Sequence, residues 1–153
     1  MDATTTIPIL PANLRDLPAL RDLEQICFGR DAWPLLDLIA VLSSPGIIRL
    51  KSVLDGKMIG FVGGDTHRNE GIGWITTICV RPEYQRRGIG SALLAECERQ
   101  MGQPSVRLSV RISNLTALHL YLQKGYRKVD LWKNYYEDRE DALVLEKFML
   151  PGS

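Results

Sequence analysis

No stretch of this sequence holds the ~20 consecutive apolar residues that a membrane-crossing helix needs. Asp2 and the threonines after it lack the basic and apolar regions of a secretory signal. Cysteine is scarce: Cys27, Cys79 and Cys97 are widely spaced and odd in number, which fits neither a disulfide framework nor a CxxC metal pattern. They read as reduced thiols, and a cytoplasmic location follows. Charge of one sign is missing too. Nineteen Lys and Arg stand against eighteen Asp and Glu, so bulk electrostatics give no reason to expect nucleic acid or a membrane as partner. Any anion site must be local. His67 and His119 are the only histidines, neither carries motif support, and with no His/Cys cluster at ligand spacing no metal is expected.

What is present is ordinary globular composition, 45% hydrophobic and 24% charged over 153 residues, enough for one core and one domain over residues 1–153. Ile7 to Leu14 reads as a short strand running into a helix, with Asn13 or Asp16 as N-cap and Leu17, Leu20, Leu23 and Cys27 as its apolar stripe. A second short helix, Leu35 to Leu42, follows Trp33-Pro34 and stops at Ser43-Ser44-Pro45-Gly46. Ile47–Leu54 and Met58–Gly64 are β-branched runs joined by Asp55-Gly56, a hairpin signal, and Trp74–Val80 completes a meander. Ile89, Leu93, Cys97 and Met101 recur every fourth residue, marking a helix over residues 88–101 that Gly102 and Pro104 end. A strand alternates through Val106, Leu108 and Val110. Asn114 then caps a helix ending at Gly125, and Tyr126–Lys133 and Ala142–Met149 read as the last strands. The class is mixed α/β without repeats or linkers.

One loop between strand and helix stands out, Val80-Arg81-Pro82-Glu83-Tyr84-Gln85-Arg86-Arg87-Gly88-Ile89-Gly90-Ser91. Helix N-termini leave N–H groups free and carry about half a positive charge, so a pyrophosphate can sit there. Glycines at 88 and 90 clear the approach, and Arg86 and Arg87 add charge. An isolated glycine pair with two solvated arginines would mean only a turn; the strand–loop–helix setting argues for the cradle. The spacing is neither a P-loop nor a GxGxxG fingerprint.

Gln85-Arg86-Arg87-Gly88-Ile89-Gly90 resembles the Q/R-x-x-G-x-G/A signature of the GNAT superfamily of acyl-coenzyme A N-acyltransferases. The resemblance runs along nearly the whole chain. It implies a mixed, mostly antiparallel sheet of six or seven strands with about four helices, and acetyl-CoA as co-substrate. It also implies a pyrophosphate held by residues 85–91 and a pantetheine arm along the backbone of Ile78, Cys79 and Val80. A second stretch, Asn114 to Tyr126, resembles the family's N-x-x-A-x-x-x-Y-x-x-x-G-F/Y segment. It places Asn114 at the cofactor and Tyr121 where a phenol protonates the leaving CoA thiolate, which a group of pKa near ~10 can do. By spacing alone Tyr121 would be a packing residue.

A third stretch, Asn134-Tyr135-Tyr136 with Arg139-Glu140-Asp141-Ala142, is similar to protein N-terminal acetyltransferases of the bacterial RimI type. The resemblance implies an α-amine acceptor, with Tyr135 and Tyr136 gripping the first peptide bonds; the alternative is that they pack on the sheet. Those enzymes carry a glutamate base in L-E-V-R-x-S-N, where this chain reads Leu108-Ser109-Val110-Arg111-Ile112-Ser113-Asn114. Ser109 is too weak a base and could only orient a water near the substrate. Glu24 is the substitute candidate, with a solvated helix carboxylate as the plain alternative. An α-amine is neutral about two hundred-fold more often than a lysine at the same pH, so an N-terminal acceptor asks less of the base. The expected function is acetyl transfer to a protein N-terminus by a monomer or homodimer. The alternatives are a small-amine acceptor or a non-catalytic acyl-CoA-binding module.

Overall fold

A computed structural model describes residues 7–149. The chain contains β1 (Ile9–Pro11), α1 (Leu17–Phe28), α2 (Leu35–Ser43), β2 (Ile47–Leu54), β3 (Lys57–His67), β4 (Ile72–Val80), α3 (Ile89–Met101), β5 (Ser105–Arg111), α4 (Leu115–Gln123), β6 (Arg127–Trp132) and β7 (Ala142–Phe148). The strands lie in the order β1-β2-β3-β4-β5-β7-β6. β1–β2, β2–β3, β5–β7 and β6–β7 pair antiparallel, while β4 and β5 pair parallel from Ile72↔Ser105 to Trp74↔Arg107. This is the expected sheet, at seven strands. The chain divides into two compact units, one of Met1–Asp65 with Thr76–Met101 and one of Thr66–Ile75 with Gly102–Ser153. The first six and last four residues of the expected 1–153 domain lie outside the described residues.

In the first unit β3 is the central layer. Its two faces are read from what a Cβ at each glycine would meet: Gly63 faces Val41 of α2, while Gly60 faces Ile89 and Leu93, and Gly64 faces Cys97 and Met101, of α3. Leu20, Leu23, Leu38, Val41, Leu42 and Phe61 form the buried core on the α1–α2 side. At roughly 1.5–3 kcal/mol for each fully buried large apolar side chain, that cluster holds α1 and α2 on the sheet. Both N-cap candidates have a role: Asn13 makes a capping box with Asp16 on a 3-10 turn over residues 14–16, and Asp16 is the residue before α1. Asp55 and Gly56 have φ of 52° and 74°, the left-handed pair a type I′ hairpin requires.

One boundary moves outward. β3 runs three residues past Gly64 to His67; its ladder with β2 continues through Ile48↔Gly64 and Ile47↔Asp65, where backbone pairing overrides the polarity of Asp65. A 3-10 turn over Arg68–Glu70 follows, closed by Gly71 at φ 70°.

In the second unit β7 lies between β5 and β6, pairing with β5 from Arg111↔Ala142 to Ser105↔Phe148. Val106, Leu108 and Val110 of β5 are buried as the alternation requires. The buried Glu146 accepts from Ser105 Oγ and from Arg107 Nε at 2.8 Å, so its charge is paired where β5 and β7 meet.

Candidate active site

The loop after β4 is built by its own strand end. The Val80 carbonyl accepts Gln85 Nε2 at 3.0 Å and Cys27 Sγ at 3.4 Å, while the Arg81 side chain binds Met58 O and Asp22. Pro82–Tyr84 forms a 3-10 turn, after which Arg86 and Gly88 take positive φ of 65° and 81°. Ala92 N–H reaches Gly88 O at 3.0 Å, so the amides of Ile89, Gly90 and Ser91 precede the first helical bond of α3 and have no carbonyl one turn behind them. A Cβ at Gly88 would meet nothing within 4 Å, so the space beside the turn is open. The two glycines differ: Gly88 is required by its φ, whereas a Cβ at Gly90 would make an ordinary 3.6 Å contact with Val80. Ile89 is buried, leaving only its backbone to serve a ligand. Arg87 lies 5.3 Å and Lys57 5.9 Å from the centroid of the Tyr84 ring, which gathers positive charge at the loop.

Glu24 is not a solvated helix carboxylate. It is fully buried, accepting Thr77 Oγ1 at 2.7 Å and Trp33 N–H at 3.2 Å. Burial pushes its pKa above the ordinary carboxylate range, and those two hydrogen bonds offset only part of the rise. One turn along α1, Cys27 pairs with Cys79 of β4. The hydrogen bond from the Cys79 thiol lowers the Cys27 pKa and raises that of Cys79, which burial raises further. All three cysteines are free thiols. Cys79 and Val80 are buried and offer a ligand only their backbone, while Ile78 between Thr77 and Cys79 is half-buried.

In the second unit Tyr121 is the buried residue of α4, its ring set edge-on to Tyr126 at 5.8 Å. Asn114 is the N-cap, its Oδ1 accepting Ala117 N–H at 3.2 Å. Ser109 is half-buried on β5 opposite Val144. Tyr135 and Tyr136 follow β6 and contact each other edge-on at 5.1 Å, Tyr135 exposed and Tyr136 half-buried. Tyr135 also leans on Trp132, which stacks on Trp74 at 5.9 Å. Arg111 lies over the Tyr136 ring at 4.0 Å and is held by Asp138 and Glu140. His67 faces Glu70 at 3.3 Å and His119 faces Gln123 at 3.3 Å, both local exposed contacts. Among the described residues no group of three or more His, Cys, Asp or Glu is placed to hold a metal.

Sequence reasoning missed Thr77, the partner that makes Glu24 a buried acid, and Arg111, the partner of Tyr136. Arg111 left no local trace, because the acids it binds stand 27 and 29 residues further on. Thr77 left none.

The acetyltransferase (GNAT) family matches this chain over residues 17–126. The ribosomal protein bS18-alanine N-acetyltransferase of Escherichia coli is 32% identical over 85% of this chain and 89% of its own. The crystal structure of the E. coli ribosomal-protein-S18-alanine N-acetyltransferase superposes with a TM-score of 0.84 at 27% identity, covering 97% of this chain and 98% of that one. An uncharacterised N-acetyltransferase of Methanocaldococcus jannaschii is 31% identical over 87% of this chain and 86% of its own. With a signature loop opening α3, a seven-stranded sheet and these relatives, the chain belongs to the GNAT family and is an N-acetyltransferase.

Proposed function

We propose that the enzyme transfers the acetyl group of acetyl-CoA to the N-terminal α-amine of a protein. The observation that carries this is the 32% identity, over 85% of the chain, to an enzyme named for the alanine of a ribosomal protein. The loop fits the co-substrate: open space beside Gly88 and three amides at the start of α3 suit a pyrophosphate. Gln85 supports the loop from the Val80 carbonyl, and Arg86 and Arg87 supply charge. With both lone pairs of that carbonyl engaged, the pantetheine pairs with the backbone of Ile78 and Cys79 and at most the N–H of Val80. The β4–β5 ladder covers only Ile72–Trp74, so these groups lie beyond it.

Acetyl-CoA supplies an activated thioester, and the acceptor amine must lose a proton while the departing thiolate gains one. Tyr121 is the acid for the thiolate. Glu24 is the proton acceptor, its pKa raised by burial above that of a free carboxyl. Being fully buried, it acts through Thr77 or a water rather than by direct contact. Ser109 orients a water, and Asn114 serves the site by fixing the start of α4. The loop that carries Tyr135 and Tyr136 binds the acceptor peptide.

The family match crosses both compact units, which supports reading 1–153 as a single acyltransferase domain. Three free thiols are in keeping with a cytoplasmic enzyme, and no helix of the described residues is long and apolar enough to cross a membrane. Incubation with acetyl-CoA, a library of N-terminal peptides and a panel of free amines, with products identified by mass, tests the acceptor. Acetylated peptide termini are expected; acetylation of free amines alone would leave a small-amine GNAT enzyme.

A further inference from the structure

We propose that Arg111 is the positioning residue of the acceptor loop at 133–141, pinning Tyr136 as an anchor so that Tyr135 is the tyrosine that meets the substrate. The proposal rests on the N-terminal reading above for the nature of the acceptor, and on geometry for the roles. Arg111 ends β5. One nitrogen of its guanidinium, Nη1, reaches Asp138 Oδ1 at 3.1 Å, Asp138 Oδ2 at 3.0 Å and Glu140 Oε1 at 2.7 Å. The guanidinium carbon lies 4.0 Å from the centroid of the Tyr136 ring, within cation–π range. Glu140 also takes Ser113 N–H at 2.8 Å with its other oxygen. One charged side chain therefore ties the end of β5 to two of the loop's four acids and to one of its two aromatic rings.

The backbone repeats the pattern. Tyr136 N–H donates to Glu140 O, Arg139 N–H donates to Tyr136 O, and Ile112 N–H donates to Asp141 O. Asn134 N–H donates to Asp141 Oδ1 at 2.8 Å. Asn134 and Arg139 hold positive φ of 53° and 70°, conformations that non-glycine residues adopt at a cost and keep only where the surroundings fix them. Tyr136 is thus held through its ring and its backbone. Tyr135 is 54% exposed, and its recorded ring contacts are Tyr136 on one side and Trp132 on the other. The adjacent tyrosines, treated as a pair by the sequence, have separate tasks: Tyr136 is spent on the loop and Tyr135 is available to a ligand.

Arg111→Met keeps the length of the stem and removes the fork, and the test measures kcat and KM for an N-terminal peptide together with acetyl-CoA affinity by calorimetry. Arg111→Met should raise the peptide KM about tenfold with kcat within about threefold, because a loosened loop costs binding more than chemistry. Acetyl-CoA affinity should be unchanged. Tyr135→Ala should raise KM comparably, and the double variant should be no worse than either single one, since Tyr135 is already misplaced when Arg111 is gone. Glu140→Gln, which keeps Arg111, provides a milder variant should Arg111→Met not fold, and should raise KM in the same direction. An unchanged peptide KM in Arg111→Met, or in Glu140→Gln where only that variant folds, would overturn the proposal. So would a loss confined to kcat, or additive effects of Arg111→Met and Tyr135→Ala. If the parent acetylates only free amines, the N-terminal reading fails, and the same measurements with the preferred amine still decide the role of Arg111.

Discussion

At the scale of single residues, the chemistry divides between groups whose hydrogen or charge matters and groups whose shape matters. Tyr121 belongs to the first kind. Its ring already packs against Tyr126, so Tyr121→Phe preserves that contact while removing the proton donor, and kcat should fall about a hundredfold or more with little change in peptide KM. Single-turnover kinetics check it; an unaltered chemical step would make Tyr121 a packing residue. Glu24 makes a prediction about pH. Its folded-state pKa is raised by burial, so the folded protein holds that proton more tightly than the unfolded chain does. Its contribution to stability is then fullest below the ordinary carboxylate range and declines as pH rises through the raised value. Glu24→Gln keeps one acceptor oxygen, enough for the Thr77 hydroxyl or the Trp33 N–H but not for both, and has no such decline. Its melting temperature should therefore gain on the parent's as pH rises above about 4.3, the free glutamate value, while its kcat/KM falls. Full activity at every pH would leave Glu24 as a core acid only. Gly88 belongs to the second kind. At φ 81°, with no neighbour within 4 Å of a Cβ, Gly88→Val strains the loop by about 1–2 kcal/mol without a clash. Calorimetry should find acetyl-CoA bound at least tenfold more weakly, with the melting point lowered by about 2–8 °C.

Among the elements, β3 and α3 approach so closely that glycine is a packing residue. A Cβ at Gly64 would lie 2.6 Å from Cys97 Sγ and 2.8 Å from Met101 Sδ, and neither partner can retreat from the core. Gly64→Ala should therefore cost about 1–3 kcal/mol, measured by denaturant unfolding; a neutral result would mean α3 can slide on the sheet. The elements themselves were legible in the sequence because local rules agree with tertiary need. Ile89, Leu93, Cys97 and Met101 repeat at the spacing of one helix face and are all buried, and Asp55-Gly56 has the turn chemistry its hairpin uses. What could not be read was the end of β3, since pairing with Ile48 and Ile47 is not encoded in Gly64 or Asp65. Nor could the fate of Glu24 be read: its hydroxyl partner is 53 residues away, and a helix carboxylate looks the same in sequence whether water or Thr77 receives it.

For the whole molecule, the cofactor loop was legible because it is contiguous, whereas the acceptor loop depends on Arg111 clamping residues 27 and 29 positions further on. Acceptor chemistry gives a test at this scale. For an α-amine substrate, kcat/KM should rise with pH and level off near ~8, whereas a lysine side chain would keep rising toward ~10.4; a pH–rate profile with matched peptides separates them. Trp74 and Trp132 are two of only three tryptophans in the chain, and their rings lie 5.9 Å apart at 26°. Indoles so close and so nearly parallel couple their electronic transitions, so the pair should give a paired positive and negative band in circular dichroism. Trp132 also touches Tyr135, which gives the acceptor loop a built-in optical reporter of its own position, readable without any label.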